Sequence, residues 1–312
     1  YGCIRKAEGN FTDARDGFRW AMRSLEYRSA SLQLLSEINL MEGKPELAFD
    51  LAEQSLSYNE FNLNSYKIQA ISQRIMSNPD GAGEILDRII EIDPLDHFAL
   101  FEKYLLKPAS NHLSDFNSSF KSETVKEEYL ETGLFYAGLS MHNEAVKIFE
   151  QAPDDPVIYY WLAWLNKDDK EKSHDYLEKA LEASPEFVFP YRTETLTVLE
   201  WASEQHPSWI TDYYSALILW HVKRVDEALS LLIRWGDTPD FTPFYHSRAH
   251  LQGILSDPAL KDMQRVLAID PGQWRIFREM ADLHISRNEF QAALAQAETG
   301  HERFPENYIL DL

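Results

Sequence analysis

Apolar residues recur along this chain at every third or fourth position, in short stretches separated by polar turns. That spacing predicts amphipathic helices; strands would show apolar residues at alternate positions. The clearest case runs from Ala30 to Glu60. Leu32, Leu35 and Ile38 share one face of a first helix, and Leu47, Leu51 and Ser55 share one face of a second. Gly43 can take the left-handed conformation that closes the first helix, and Pro45 sits where an opening turn tolerates a missing N–H. Ala48 and Ala52 are small enough to let the two helices approach closely. Neither helix can bury its apolar stripe alone, so the hairpin predicts neighbours of the same kind.

Those neighbours follow at a fixed period. Shifted back by 34 residues, Gly43 falls on Gly9, Ala48 on Ala14, Ala52 on Phe18 and Ser55 on Ala21. Shifted forward by 34, Ala48 falls on Ala82, Leu56 on Ile90 and Glu60 on Pro94. Ala259 and Ala293 keep the same separation, as do Pro271 and Pro305. A helix–turn–helix unit with this period resembles the tetratricopeptide repeat, over nearly the whole chain. The resemblance implies an all-α, right-handed superhelical solenoid in which each unit packs mainly on its neighbours. The first helix of each pair is then expected to line the concave side.

The register divides the chain. Residues 1–94 read as regular units, the first truncated, and residues 95–185 as irregular units of the same type. Residues 186–207 form an extra helical segment, and residues 208–312 return to the repeat. Phe187 to Pro207 (FVFPYRTETLTVLEWASEQHP) is the stretch the repeat does not explain; Thr195, Leu196, Leu199 and Ala202 share one helical face there. FPYRTETLTVLEW, followed by YYSALILW, VDEAL and GDTPDFTPFYHSRA, is similar to large bacterial proteins in which a β-rich domain precedes a C-terminal tetratricopeptide array. That similarity implies an upstream domain, and the opening at Tyr1-Gly2, inside a first helix, leads us to expect a fragment.

Composition narrows the function. Apolar residues make up 44% of the chain, enough for a continuous core between stacked helices. The net charge of −21 argues against binding nucleic acid, which needs clustered Lys and Arg, and against anionic membrane surfaces. It predicts a solubilising exterior, with steering of a basic partner as the sharper alternative. No apolar run reaches membrane-spanning length and no signal peptide precedes the first repeat, so no membrane insertion is expected. Cys3 is the one cysteine, which excludes an internal disulfide and a CxxC metal site. It fits the cytoplasm without excluding the envelope.

Candidate chemistry is sparse. His246 and His250 lie four apart on a helix, a spacing that could place both on one metal. Ser-Arg-Ala stands between them in place of a metalloprotease glutamate and no third ligand follows nearby, so packing is the favoured role. Glu194, Glu200 and Asp212 lie among Tyr191, Trp201, Trp209, Tyr213 and Tyr214. Facing carboxylates among aromatics could serve a glycosidase, but solvated or helix-capping roles are favoured. Arg192 is expected to stack on an aromatic ring or pair with Glu194 as a structural clamp. The run DDKEK at a turn reads as solvated.

The inner face is expected to carry Gln33, Glu37, Lys67, Ile71 and Arg74 early on, then Leu130, Leu134, Ile158, Leu162, Tyr213, Leu217 and Trp220. Phe244, Arg248, Arg278 and Asp282 follow. The apolar middle reads either as a contact surface or as a groove filled by the irregular segments. The carboxylate clamp by which the family grips peptide C-termini is not matched, since Gln33 and Glu37 hold that helix face. The expected function is a non-catalytic interaction scaffold, with no cofactor and no catalytic or metal residue assigned. Its partner is a protein or peptide, or the chain's own upstream domain. Ile158, Leu162, Tyr191, Arg192, Trp201, Tyr213, Trp220, Phe244 and Arg248 are the candidate binding residues. Phe189, Tyr191, Arg192 and Trp201 are expected to gather beside Ile158, Leu162, Tyr213 and Trp220 as a docking platform. The alternative is a glycan-binding or glycoside-processing protein using the aromatic groove.

Overall fold

The computed structural model describes residues 1–108 and 111–307, so the end of the expected final block, 308–312, lies outside the described residues. All regular structure among them is helical, in nine hairpins and one additional helix. The chain forms two compact units, Tyr1–Asp154 and Asp155–Leu312. The first holds the hairpins α1 (Gly2–Ala7) with α2 (Phe11–Ala21), α3 (Leu25–Met41) with α4 (Pro45–Leu56), and α5 (Leu63–Ile75) with α6 (Pro79–Ile92). It continues through α7 (His97–Leu106) with α8 (His112–Ser119) and α9 (Val125–Gly138) with α10 (His142–Phe149). The second unit opens with α11 (Pro156–Leu165) and α12 (Lys170–Glu182), then the additional helix α13 (Thr195–Gln205). Three hairpins follow: α14 (Trp209–His221) with α15 (Val225–Ile233), α16 (Thr242–Leu251) with α17 (Asp257–Ile269), and α18 (Trp274–Ser286) with α19 (Phe290–Arg303). Each unit is thus a stack of tetratricopeptide-type helix–turn–helix repeats. Leu25 opens α3, directly after extended backbone at Ser24.

Most of the hairpin turns end their first helix the same way. Gly9 and Gly43 take positive φ of 73° and 71°, as expected for a left-handed helix stop. Ser77, Ser140, Lys223 and Asn288 take the same conformation at the equivalent turns without being glycine. Side-chain caps then open the second helices: Asn10 accepts from the Asp13 N–H, Asn78 from Gly81 and Ser256 from Ala259.

Within a hairpin the helices meet at two small positions. Ala14, Ala48, Ala82, Ala145, Ala228, Ala259 and Ala293 are all buried on second helices. Across from this row, the first helices carry Gly2, Ser36, Ala70, Gly133, Ala216, Ser247 and Ala281, all buried as well. The closeness is measurable at Gly133, where an added Cβ would lie 2.2 Å from Phe149. At Gly2 the same atom would lie 2.7 Å from Phe18, the equivalent aromatic. Enlarging such a contact forces the helices apart or their side chains off rotamer. Ala48→Leu is expected to cost about 1–3 kcal/mol, read as a lowered melting temperature, whereas the exposed Asp50→Ala should change it little. An unchanged melt for Ala48→Leu would place the hairpin contact elsewhere.

Candidate partner-binding face

In the second unit, successive first helices are tied by aromatic side chains. Asp155 caps α11 by accepting from Val157 and Ile158, which aims Tyr160 at α14. There its hydroxyl meets Thr211 at 2.8 Å and its ring meets Tyr214 edge-on. Tyr213 of α14 packs on Phe244 of α16, 6.1 Å between ring centres. Burial pushes the Tyr160 and Tyr213 phenols up to about 12, so both stay neutral.

This interlock corrects the expected groove. Ile158, Leu162, Tyr213 and Phe244 are all buried, within 2% of full occlusion. They fill the core between hairpins and offer nothing to a partner. A first helix here packs on its own second helix and on the neighbouring first helix, so its apolar stripe is wider than one face. Half-exposed residues on these helices include Leu217 and Trp220 on α14 and His246 and His250 on α16.

Arg248 is likewise a core residue. Its Nε and Nη2 donate to Asp262 at 2.9 and 2.6 Å, and Nη1 donates to the Gly236 carbonyl at 2.6 Å. Both side chains of the pair are buried, and the guanidinium lies over the Phe244 and Tyr245 rings. Burial works against the charge of Arg248, but the hydrogen bonds and charge of Asp262 outweigh it and raise its pKa. Arg248 therefore clamps α16 to α17 and to the end of α15.

The additional helix α13 packs on α11 and α14. One of its sides, with Trp201, Gln205 and His206, faces Ser173, Leu177 and Leu181 of α12 across a cleft of about 620 Å³. Another side, with Leu199, Glu200 and Ser203, shares a cleft of about 500 Å³ with Glu227, Ser230 and Leu231 of α15. It sits between α11 and α14, which also meet through the Tyr160 and Thr211 side chains. Trp201 points to α12, which corrects its expected place in the platform. Thr195, at the start of α13, accepts from the Trp161 indole and ties the segment to α11.

The segment before α13 has no regular structure, and its burial alternates. Val188 and Pro190 are buried, while Phe187, Phe189 and Tyr191 are 82%, 65% and 44% exposed. Phe187 holds a positive φ of 61°, unusual for an aromatic residue. The Arg192 guanidinium lies over the Tyr191 ring at 5.2 Å, as the stacking expectation had it. Tyr191 also meets His221 at the end of α14, 6.2 Å between rings, and the adjacent Trp220 meets His250 at 6.1 Å. The expected platform thus keeps Phe189, Tyr191, Arg192 and Trp220 near solvent and loses its other members to the core or to α12. Sequence reasoning placed Phe187 in this segment but did not mark it as exposed; its place at the start of the alternation is the signal that could have done so.

Glu200 and Asp212 line one cleft between α13 and α15, but Asp212 is already held by other side chains. Glu194 is exposed at the start of α13, whereas Asp212 is buried and accepts from the Trp235 indole at 2.5 Å. Arg234 pairs with the same carboxylate at 3.1 Å. Burial raises the Asp212 pKa despite these contacts. Its role is a buried anchor for the end of α15, not the solvated or capping one expected.

In the first unit the polar first-helix residues are engaged with one another. Glu37 is buried and binds Lys6 and Gln33. Lys67 pairs with Asp96 at 2.8 Å, and Arg74 grips the buried Glu102 at 2.7 and 3.1 Å.

No family model matches the chain, and no curated relative matches it. Among solved structures, MamA is 16% identical, with a TM-score of 0.29 over 58% of this chain and 92% of that one. A tetratricopeptide repeat protein from Parabacteroides merdae is 13% identical over 94% of this chain and 96% of its own, at 0.31. Yeast Tom70 is 16% identical over 99% of this chain and 69% of its own, at 0.30.

Removing one half of a buried ion pair leaves the other charge uncompensated. Asp262→Ala should therefore destabilise the second unit by about 3–5 kcal/mol, measured by urea unfolding. A loss below about 1 kcal/mol, the scale of an exposed pair, would contradict the assignment of Arg248 to the core.

Proposed function

We propose that the chain is a non-catalytic scaffold that holds a protein or peptide partner against the Phe187–Arg192 strip and the neighbouring Trp220. One observation carries the reading. Three aromatic side chains stand in solvent on backbone that is pinned by the burial of the residues between them. Exposed contiguous apolar surface of this kind marks contact sites, and aromatic and Arg side chains are the usual anchors. Pinning the strip lowers the ordering cost of binding. The partner is a protein or peptide presenting apolar pockets; the chain's own upstream domain is one form such a partner takes. Asp212 is committed to Arg234 and Trp235, so no observation favours the glycoside-processing alternative.

A photo-crosslinking residue in place of Phe189 identifies the partner, and its affinity is then measured for the parent chain and for Phe189→Ser and Tyr191→Ala. Each variant should weaken binding by about 2 kcal/mol with its helical circular dichroism unchanged. Undiminished affinity in both would overturn the reading. A basic partner should also associate more slowly as salt rises, because exposed charges are screened beyond about 10 Å at 0.1 M.

A further inference from the structure

His246 and His250 lie one turn apart on α16, both half-buried, and α18 brings Glu279 against them. The three side chains converge. His246 Nε2 is 2.9 Å from Glu279 Oε2 and 3.2 Å from His250 Nε2, and His250 Nε2 is 3.8 Å from the same oxygen. Zinc held tetrahedrally at its usual bond lengths separates its ligand atoms by about 3.3–3.4 Å, so the observed triangle brackets one face of that polyhedron.

Hydrogen bonding accounts for the triangle only in part. A neutral imidazole nitrogen is either a donor or an acceptor. If His246 Nε2 carries its proton and donates to Glu279, it has no lone pair left for a proton on His250 Nε2. If it is unprotonated, it accepts from His250 but presents a lone pair to the carboxylate. Among neutral rings, then, at most one of the two short contacts is a full-strength hydrogen bond, and the other is at best a share of the same proton. A cation at the centre satisfies all three atoms at once, each through a lone pair. The charge balance agrees, because two neutral imidazoles and one carboxylate carry a single negative charge against a dication. The strongly acidic chain also raises the local concentration of cations.

We infer that His246, His250 and Glu279 bind one divalent transition-metal ion of the zinc type. Two imidazoles and a carboxylate suit zinc and its neighbours in the first transition row, whereas calcium and magnesium prefer oxygen donors throughout. All three ligands come from first helices of successive hairpins, so the ion ties α16 to α18. They are each partly open to solvent, which leaves a coordination position for water or for a side chain brought by a partner. The sequence spacing supplied two ligands and missed the third, which belongs to the next repeat. This site is separate from the scaffold reading and stands or falls without it.

The chain is stripped with a chelator and titrated with zinc chloride by calorimetry. The expected result is one tight equivalent for the parent chain. His246→Gln and Glu279→Gln should each weaken it at least about tenfold, the lower end of what loss of a supporting residue costs at metal sites. His174→Gln removes half of another His–Glu pair at helical spacing, His174 with Glu178, and should leave binding intact. Zinc should raise the melting temperature of the parent and not of Glu279→Gln, whose metal-free melt and circular dichroism report its folding independently. Anomalous diffraction at the zinc edge from soaked crystals should place the ion between the three side chains. Absence of a stoichiometric ion, equal binding by the parent and both variants, or an ion located elsewhere would each overturn the inference.

Discussion

Helix-to-helix distance inside each hairpin is the constraint on which both units depend. In seven of the nine hairpins a buried alanine on the second helix is matched by a buried glycine, serine or alanine twelve residues earlier on the first. With backbones that close, a large ring fits between the two helices only where the facing residue is glycine, as Phe18 does at Gly2 and Phe149 at Gly133. Other bulky residues are displaced towards neighbouring hairpins, where Tyr160, Tyr213, Tyr214 and Phe244 interlock in the second unit. In the first unit, Phe101 and Tyr136 meet in the same way, and the Tyr136 hydroxyl donates to the buried Glu102. Burial raises the Glu102 pKa towards the neutral form, and the charge and hydrogen bonds of Arg74, with the Tyr136 hydroxyl, offset that only in part.

A second consequence concerns where function can sit. Aromatic side chains used between hairpins are lost to any partner, so the reachable chemistry lies at the margins of the first helices and where the repeat is interrupted. Helix α13 packs between α11 and α14. The strip that leads into it leaves Phe187 and Phe189 in solvent. Trp220, His250, His246 and Glu279 then run along the half-exposed side of α14, α16 and α18. An aromatic anchor and a set of metal ligands thus share one edge of the second unit.

The hairpins were legible in the sequence, because turn residues and small residues keep one register: Gly9 and Gly43 hold left-handed backbone, and Ala48, Ala82 and Ala293 are buried. The face was much less legible. In a helix buried on two sides, the period that marks the core also runs through positions that a one-sided helix would leave open. Phe244 and Arg248 therefore read as lining residues and proved to be core. Arg248 finds Asp262 fourteen residues away, and His246 finds Glu279 thirty-three residues away. Neither partner can be chosen from spacing alone, since each depends on which sides of adjacent helices meet.

The central claim is that the interlocked aromatics are core and that the reachable chemistry of the second unit is the strip and the row of first-helix edges. Hydroxyl-radical footprinting of the native chain, read residue by residue by mass spectrometry, tests it directly. Phe187, Phe189, Tyr191, Trp220 and His246 should be oxidised readily, while Tyr160, Tyr213, Tyr214 and Phe244 should stay protected until the chain unfolds. Labelling of Tyr213 and Phe244 as fast as Trp220 would contradict it and restore an open aromatic groove.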